Sequence, residues 1–219
     1  SSGVPVIGCH CAVCTSSDPR NQRTRPSVIV EVPGGKILID TTPELRLQLL
    51  REGVERVDAI LFTHYHADHI FGLDDVRVLH HTLGGPMPVY AERSTLAVLK
   101  KTFGYAFDRW SHKIPGGGIP KLDLHTIDAR RPFEVLGTRC EPIRLLHGRF
   151  RVLGFRFGGL AYCTDVNQIP KRSMRQLEGL DVLVLDALRD RPHPTHFSLS
   201  EALEVVTYLR PRRCYLTHI

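Results

Sequence analysis

Apolar residues come along this chain mostly in short runs of strand length, separated by glycine, proline and charged residues. Residues 27–32 (SVIVEV) and 36–40 (KILID), with PGG between them, predict a hairpin. Thr42 as a cap and Pro43 in the first turn then predict a helix with Leu45 and Leu49 on one face and Gly53 as its stop. The run 57–63 (VDAILFT) predicts a buried strand, and PVYA at 88–91 predicts a short one followed by a helix to about Lys101. Residues 104–121, with Trp110 and IPGGGIPK, predict an irregular surface excursion. Strands resume at 133–146 and 150–164, and DVLVLD (181–186) and RCYLTH (213–218) predict two more. Between those two, Ser198 and Glu201 form a capping-box signature that opens an apolar-striped helix to Leu209. Hairpins early and strand–helix alternation late predict an α/β protein of packed sheets, with one domain over residues 1–219.

Composition narrows the class without naming it. A hydrophobic fraction of 42% and a charged fraction of 24% are those of an ordinary globular protein. No apolar run reaches the roughly 20 residues that span a bilayer, and no signal peptide opens the chain, so no membrane partner is expected. The net charge of +6 comes from 29 basic residues, mostly arginines scattered along the chain, and reads as a basic surface more than a nucleic-acid face. Cys140, Cys163 and Cys214 each lie in or beside an apolar run and read as reduced core thiols. Cys9, Cys11 and Cys14 form C-x-C-x-x-C, which reads as a metal knuckle for a structural zinc. Both groups fit a reducing, cytoplasmic setting.

The strand ends carry the chemistry. ILID ends in Asp40, AILFT leads to His64, IRLL to His147, LAYCT to Asp165, LVLD ends in Asp186, and CYLT leads to His218. Six apolar strands each ending in a potential ligand would gather these groups along one edge of the sheets. The segment HYHADH at 64–69 crowds His64, His66, Asp68 and His69 too tightly for a single ion and points to two. His64 and His66 with His147 would form one set, Asp68 and His69 with His218 a second, and the two oxygens of Asp165 could bridge them. Such sites accept two divalent ions, zinc or manganese, and would present a metal-bound hydroxide as nucleophile. Asp40 is equally suited to orienting a ligand histidine and to a plain helix-entry turn. Arg77 could hold a phosphate or pair with Asp74. His193, His80 and His81 read as ordinary loop residues, the last two with a place on a pocket wall as the alternative.

H-x-H-x-D-H, here HYHADH, is the signature of the metallo-β-lactamase superfamily, and LIDTTPELR, LLHG, YCTDVNQIP and YLTHI follow in family order. The chain resembles that superfamily over nearly its whole length, which implies an αββα four-layer sandwich. Through the cysteine knuckle, DPRNQRTRPS and PVYA it most resembles the branch of phosphoribosyl 1,2-cyclic phosphate phosphodiesterases. The resemblance implies the two ligand sets above, bridged by Asp165, and hydrolysis of a small or cyclic phosphate ester. It also implies that His196, five residues before Glu201, protonates the departing alkoxide, with Asp68 beside the hydroxide. In that branch a histidine three residues past His218 completes the knuckle, a position beyond Ile219. SSGVPVIG resembles the tail of a glycine-rich loop after a missing strand, so a chain trimmed at both ends is expected. Two alternatives remain: an RNA or DNA nuclease of the same superfamily, and a non-catalytic metal-binding accessory protein.

Overall fold

The computed structural model describes residues 1–108 and 118–219, excluding the side chains of His80 and His81. Trp110 and the first half of IPGGGIPK, together with the wall-lining reading of His80 and His81, therefore lie outside the described residues.

Two sheets stack face to face. The first runs β1 (Val28–Val32), β2 (Gly35–Ile39), β3 (Ala59–Leu61), β4 (Met87–Ala91) and β5 (Leu122–Thr126) in that spatial order. Only the β1–β2 hairpin is antiparallel, so β2 to β5 run together. The second sheet runs from β11 (Arg213–Thr217) through β10 (Val182–Asp186), β9 (Leu160–Cys163), β8 (Phe150–Phe157) and β7 (Thr138–His147) to β6 (Phe133–Val135). Pairing is parallel among β9, β10 and β11 and antiparallel from β9 to β6. Strands β7, β9, β10 and β11 therefore end on the same side.

Three apolar clusters define the layers. Ile37, Ile39, Leu61, Leu153, Phe155 and Tyr162 fill the space between the sheets. Leu38, Ile60 and Val89 face the other way, packing with Leu45, Leu96 and Leu99 from α1 (Leu45–Arg51) and α4 (Arg93–Thr102). Ile143, Leu183 and Leu185 pack with Leu177, Ala202 and Leu209, around α5 (Lys171–Gln176) and α6 (Leu199–Leu209). Neighbouring residues such as Leu38 and Ile39 thus serve opposite faces, as strand alternation demands. The order helix, sheet, sheet, helix is the αββα sandwich expected from the resemblance.

Local departures have identifiable causes. The first helix begins at Leu45, after Glu44, and not at Thr42. Thr41 instead receives the chain after the histidine cluster: its N–H donates to His69 O at 2.8 Å and its carbonyl accepts from Gly72 N at 3.0 Å. A Cβ on Gly72 would lie 2.0 Å from Thr42 O, so only glycine allows this approach. Beyond Leu61 strand β3 keeps one more bond to β4, from Phe62 N to Tyr90 O, and then leaves the ladder where Thr63 N donates to the Asp40 carboxylate. The capping box of α6 is present: Ser198 Oγ accepts from Glu201 N, and Glu201 Oε2 accepts from Ser198 N at 2.8 Å.

Candidate active site

The strand ends converge. Asp40 follows β2 and His64 lies three residues beyond β3; His147 closes β7 and Asp165 lies two residues past β9, while Asp186 closes β10 and His218 follows β11. Asp40, Asp165 and His218 have left-handed backbones (φ 64°, 53° and 65°), sharp turns that L-residues adopt at a cost of order 1–2 kcal/mol. His66 caps and Asp68 and His69 ride on α2 (Ala67–Ile70), a single turn that aims them differently from His64.

Ligand atoms of His64, His66 and His147 lie within 4.8 Å of one another, as do those of Asp68, His69 and His218, and those of His64, His69 and Asp165. Asp165 joins the groups: Oδ1 is 4.0 Å from His64 Nε2, 3.9 Å from His147 Nε2 and 3.4 Å from His218 Nε2, and Oδ2 is 3.1 Å from His69 Nε2. All seven expected donors therefore meet at one place. Arg77 stands apart, its guanidinium donating to Asp74, which also accepts from the Tyr105 hydroxyl at 2.5 Å. His193 sits on the loop before α6 and its Nδ1 lies near the Thr195 amide and hydroxyl.

The hydrogen bonds behind these histidines set their tautomers. Asp40, fully buried, accepts from Thr63 N at 2.8 Å, from Thr63 Oγ1 at 2.7 Å and from His69 Nδ1 at 2.7 Å. With its one proton on Asp40, Thr63 Oγ1 must accept from His64 Nδ1 at 3.0 Å. His147 Nδ1 donates to Thr195 O at 2.7 Å. In His64 and His147 the proton sits on Nδ1 and the Nε2 lone pair faces the centre, and His69 likewise commits its Nδ1 proton to Asp40, the arrangement metal-binding histidines require. The Nε2 atoms of His64 and His69 are buried without a hydrogen-bond partner. Such atoms cost free energy unless something else occupies them, and a cation does.

The electrostatics agree. Burial, reinforced by His69, holds His64 well below the ordinary imidazole pKa, and burial lowers His66 and takes His147 down to about 4. These rings are neutral and ready to ligate. Burial opposes a charge on His69, but Asp165 and Asp40 outweigh it and push its pKa well above the ordinary imidazole value, so a positive charge is favoured at the spot its Nε2 faces. The donor set fits a pair of divalent metals.

Beside the donors stands His196, expected as the leaving-group acid, paired with Asp186, whose part the sequence left unassigned. His196, 7% exposed, shares its Nδ1 proton with Asp186 Oδ2 at 2.8 Å; its ring stacks on His218 at 4.6 Å and meets His147 edge-on at 4.5 Å. A ring nitrogen of His196 lies within 4.8 Å of the donors of His147 and Asp165. Asp186 Oδ2 also accepts from Val166 N at 2.8 Å, and burial, against the pull of His218, raises its pKa to about 7. LVLD marked Asp186 as one more strand-end acid; nothing in the sequence tied it to His196. At the opposite end of the chain, the sulfurs of Cys9, Cys11 and Cys14 lie within 4.8 Å of one another, and His10 is not in that group. Hydrogen bonds from the Cys14 backbone and from the Cys9 and Cys14 side chains bring the Cys11 thiol down to about 7.

A family model described as Beta-lactamase superfamily domain matches residues 36–219. A crystal structure described as a new diphosphatase from the PhnP family is 45% identical, with a TM-score of 0.91, over 100% of this chain and 82% of that one. A Porphyromonas gingivalis protein named octanoyltransferase is 37% identical over the whole of this chain, which spans 44% of its length. A ribonuclease Z of Pyrobaculum calidifontis is 27% identical over 92% of this chain and 82% of its own.

Proposed function

The chain belongs to the metallo-β-lactamase superfamily, and to the PhnP family within it, and from that premise we propose that it is a metal-dependent phosphodiesterase acting on a small or cyclic phosphate ester. The observation that carries this reading is the Asp186–His196 pair set against the seven-donor pocket.

His64, His66 and His147 would hold one divalent ion and Asp68, His69 and His218 the other, with Asp165 reaching both. When bound, such ions polarise the phosphoryl oxygens and lower the pKa of water towards ~7. The protein's own groups do the rest. Asp40 and Thr195 O keep the ligand nitrogens deprotonated by claiming the opposite ring proton of His69 and His147. Asp186 fixes the ring of His196 through Nδ1, which leaves the second nitrogen to donate a proton to the departing alkoxide. Burial lowers the pKa of His196, which makes it a stronger acid for that step. Cys9, Cys11 and Cys14 would supply three of the four ligands of a structural zinc.

Metal-loaded protein should hydrolyse a cyclic ribose phosphate and a linear dialkyl phosphodiester. His196→Ala should slow both by about 10²–10⁴-fold while leaving metal content unchanged. A p-nitrophenyl ester, whose leaving group needs no proton, should lose far less. Equal losses for poor and good leaving groups would remove His196 from the acid's role, and inactivity of fully loaded protein towards every diester would remove the phosphodiesterase reading. A second reading, hydrolysis of RNA, draws on the Pyrobaculum relative and the +6 charge. RNA turnover with a steep salt dependence would favour it.

A further inference from the structure

The hairpin between β7 and β8 carries a feature that the donor pocket does not use. His147 and Phe150 pair across this turn and so stand on the same face of the sheet. His147 belongs to the donor cluster, whereas Phe150 keeps 49% of its surface exposed. Its ring meets His66 edge-to-face at 5.5 Å and Tyr65 edge-to-face at 6.5 Å, and Tyr65 meets His66 at 5.9 Å. Two aromatic rings thus border the pocket on the side of His66.

The turn beneath Phe150 is held rigidly. Gly148 has φ 62°, and a Cβ there would lie 2.8 Å from Thr195 Cγ2, so the hairpin rests directly on the loop that carries His196. Gly148 N donates to Asn167 Oδ1 at 2.7 Å, and Asn167 Nδ2 donates to Pro194 O at 3.0 Å, clamping turn and loop together. An exposed phenylalanine on a clamped turn contributes little to the fold, because half of its apolar surface stays in water. Arg149 and Arg151, its neighbours in sequence, are exposed as well.

A ring face, beside a half-exposed tyrosine and next to a phosphoryl-transfer centre, suits one ligand chemistry best. An alkyl chain wants a concave apolar channel, whereas a flat heteroaromatic ring stacks on an open aromatic face and tolerates a polar rim. Resting on the phosphodiesterase reading, we infer that Phe150, with Tyr65, is a stacking platform for a nucleobase carried by the substrate. The preferred diester is then a nucleotide derivative whose phosphate sits at the donors and whose base lies on Phe150.

Equilibrium binding to the metal-loaded full chain tests this apart from turnover, with adenosine 5′-monophosphate, ribose 5-phosphate and octyl phosphate as probes. The wild type should bind the nucleotide at least about fivefold more tightly than ribose 5-phosphate, since a base–aromatic stack contributes ~1–3 kcal/mol. Phe150→Ala and Phe150→Leu should each weaken nucleotide binding roughly 5- to 150-fold and leave ribose 5-phosphate within about twofold, while Phe150→Tyr retains wild-type affinity. The leucine variant keeps the apolar bulk and guards against misfolding as the cause of a loss. Equal wild-type affinities for nucleotide and ribose phosphate, parallel losses for both, full retention by Phe150→Leu, or tightest binding of octyl phosphate would each overturn the platform. A nucleotide preference in a protein that cleaves no diester would instead keep the platform and defeat the phosphodiesterase reading.

Discussion

Asp40→Asn should disable both metal sites without disturbing the backbone. Asp40 sits at φ 64°, a left-handed conformation that asparagine tolerates as well as aspartate, so the substitution changes chemistry only. Thr63 N can still donate to the remaining carbonyl oxygen, as it does to Oδ1 at 2.8 Å. The other oxygen, which accepts from Thr63 Oγ1 at 2.7 Å and His69 Nδ1 at 2.7 Å, becomes an NH₂ group that can only donate. His69 must then present a bare Nδ1 and carry its proton on Nε2, the nitrogen that faces the donors. Thr63 Oγ1 becomes an acceptor, frees its own proton for His64 Nδ1, and drives the proton of that ring to Nε2 as well. One substitution therefore flips one ligand in each set.

Loss of an orienting partner of this kind costs about 10- to 100-fold in metal affinity, which is about 1.4–2.7 kcal/mol per site. The stability of the metal-free chain should change less. The lost charge-assisted hydrogen bonds are offset by no longer burying a carboxylate, whose pKa burial itself raises. Calorimetric zinc titration, with metal content measured after dialysis against graded chelator, separates the two sites from the cysteine knuckle. An Asn variant that binds both active-site equivalents with wild-type affinity would refute the tautomer argument. So would a loss confined to one site, because Thr63 couples the two rings.

Two further outcomes follow from groups near the hairpin. His147 is held down to about 4, so in the metal-free protein it is neutral in the fold and charged in the unfolded chain between about 6.5 and 4. Relative to His147→Gln, the wild type should therefore lose about 2–3 kcal/mol of stability as pH falls through that window, measured by urea unfolding with chelator present; a flat difference would contradict it. Asp186, raised to about 7, runs the opposite way and cancels in the comparison, while His69, raised well above 6.5, contributes constantly there. Gly148→Ala meets both the φ of 62° and the 2.8 Å approach to Thr195, and should cost about 1–3 kcal/mol in thermal unfolding while lowering turnover through displaced His147 and His196; unchanged melting and rate would show that the clamp is slack.

The donor set was legible because it is written as strand endings. Apolar runs such as LAYCT and CYLT stop at the residue that must turn inward, and chain order alone brings Asp165 and His218 to one edge once β9, β10 and β11 are parallel. Segments with little apolar signal were harder to read. Strand β5, Leu122–Thr126, escaped notice although LDLHT alternates, because it is an edge strand with Asp123 and His125 exposed. Helix α5 buries only Ser173 and offers almost no stripe. Thr42 and Pro43 look like a helix start, yet Thr41 and Thr42 are committed to the segment after His69, a contact that no local pattern announces.

The same limit explains why the strand-end acids could be found but not told apart. Asp40, Asp165 and Asp186 all follow or close aliphatic strands, all are buried, and two of the three take left-handed turns. What separates them is the partner across the sheets. Asp165 faces the Nε2 atoms of four histidines, Asp40 meets the Nδ1–H side of one, and Asp186 meets the Nδ1 of His196, a ring that lies beside the cluster. A carboxylate facing lone pairs needs a cation between them, whereas one facing N–H groups is already satisfied and can only orient. By that criterion Asp165 is the acid placed to hold metal, while Asp40 and Asp186 govern where protons sit. Exchanging the roles would require turning histidine rings by half a revolution, not moving a strand, so strand order can locate a site that hydrogen-bond direction alone explains.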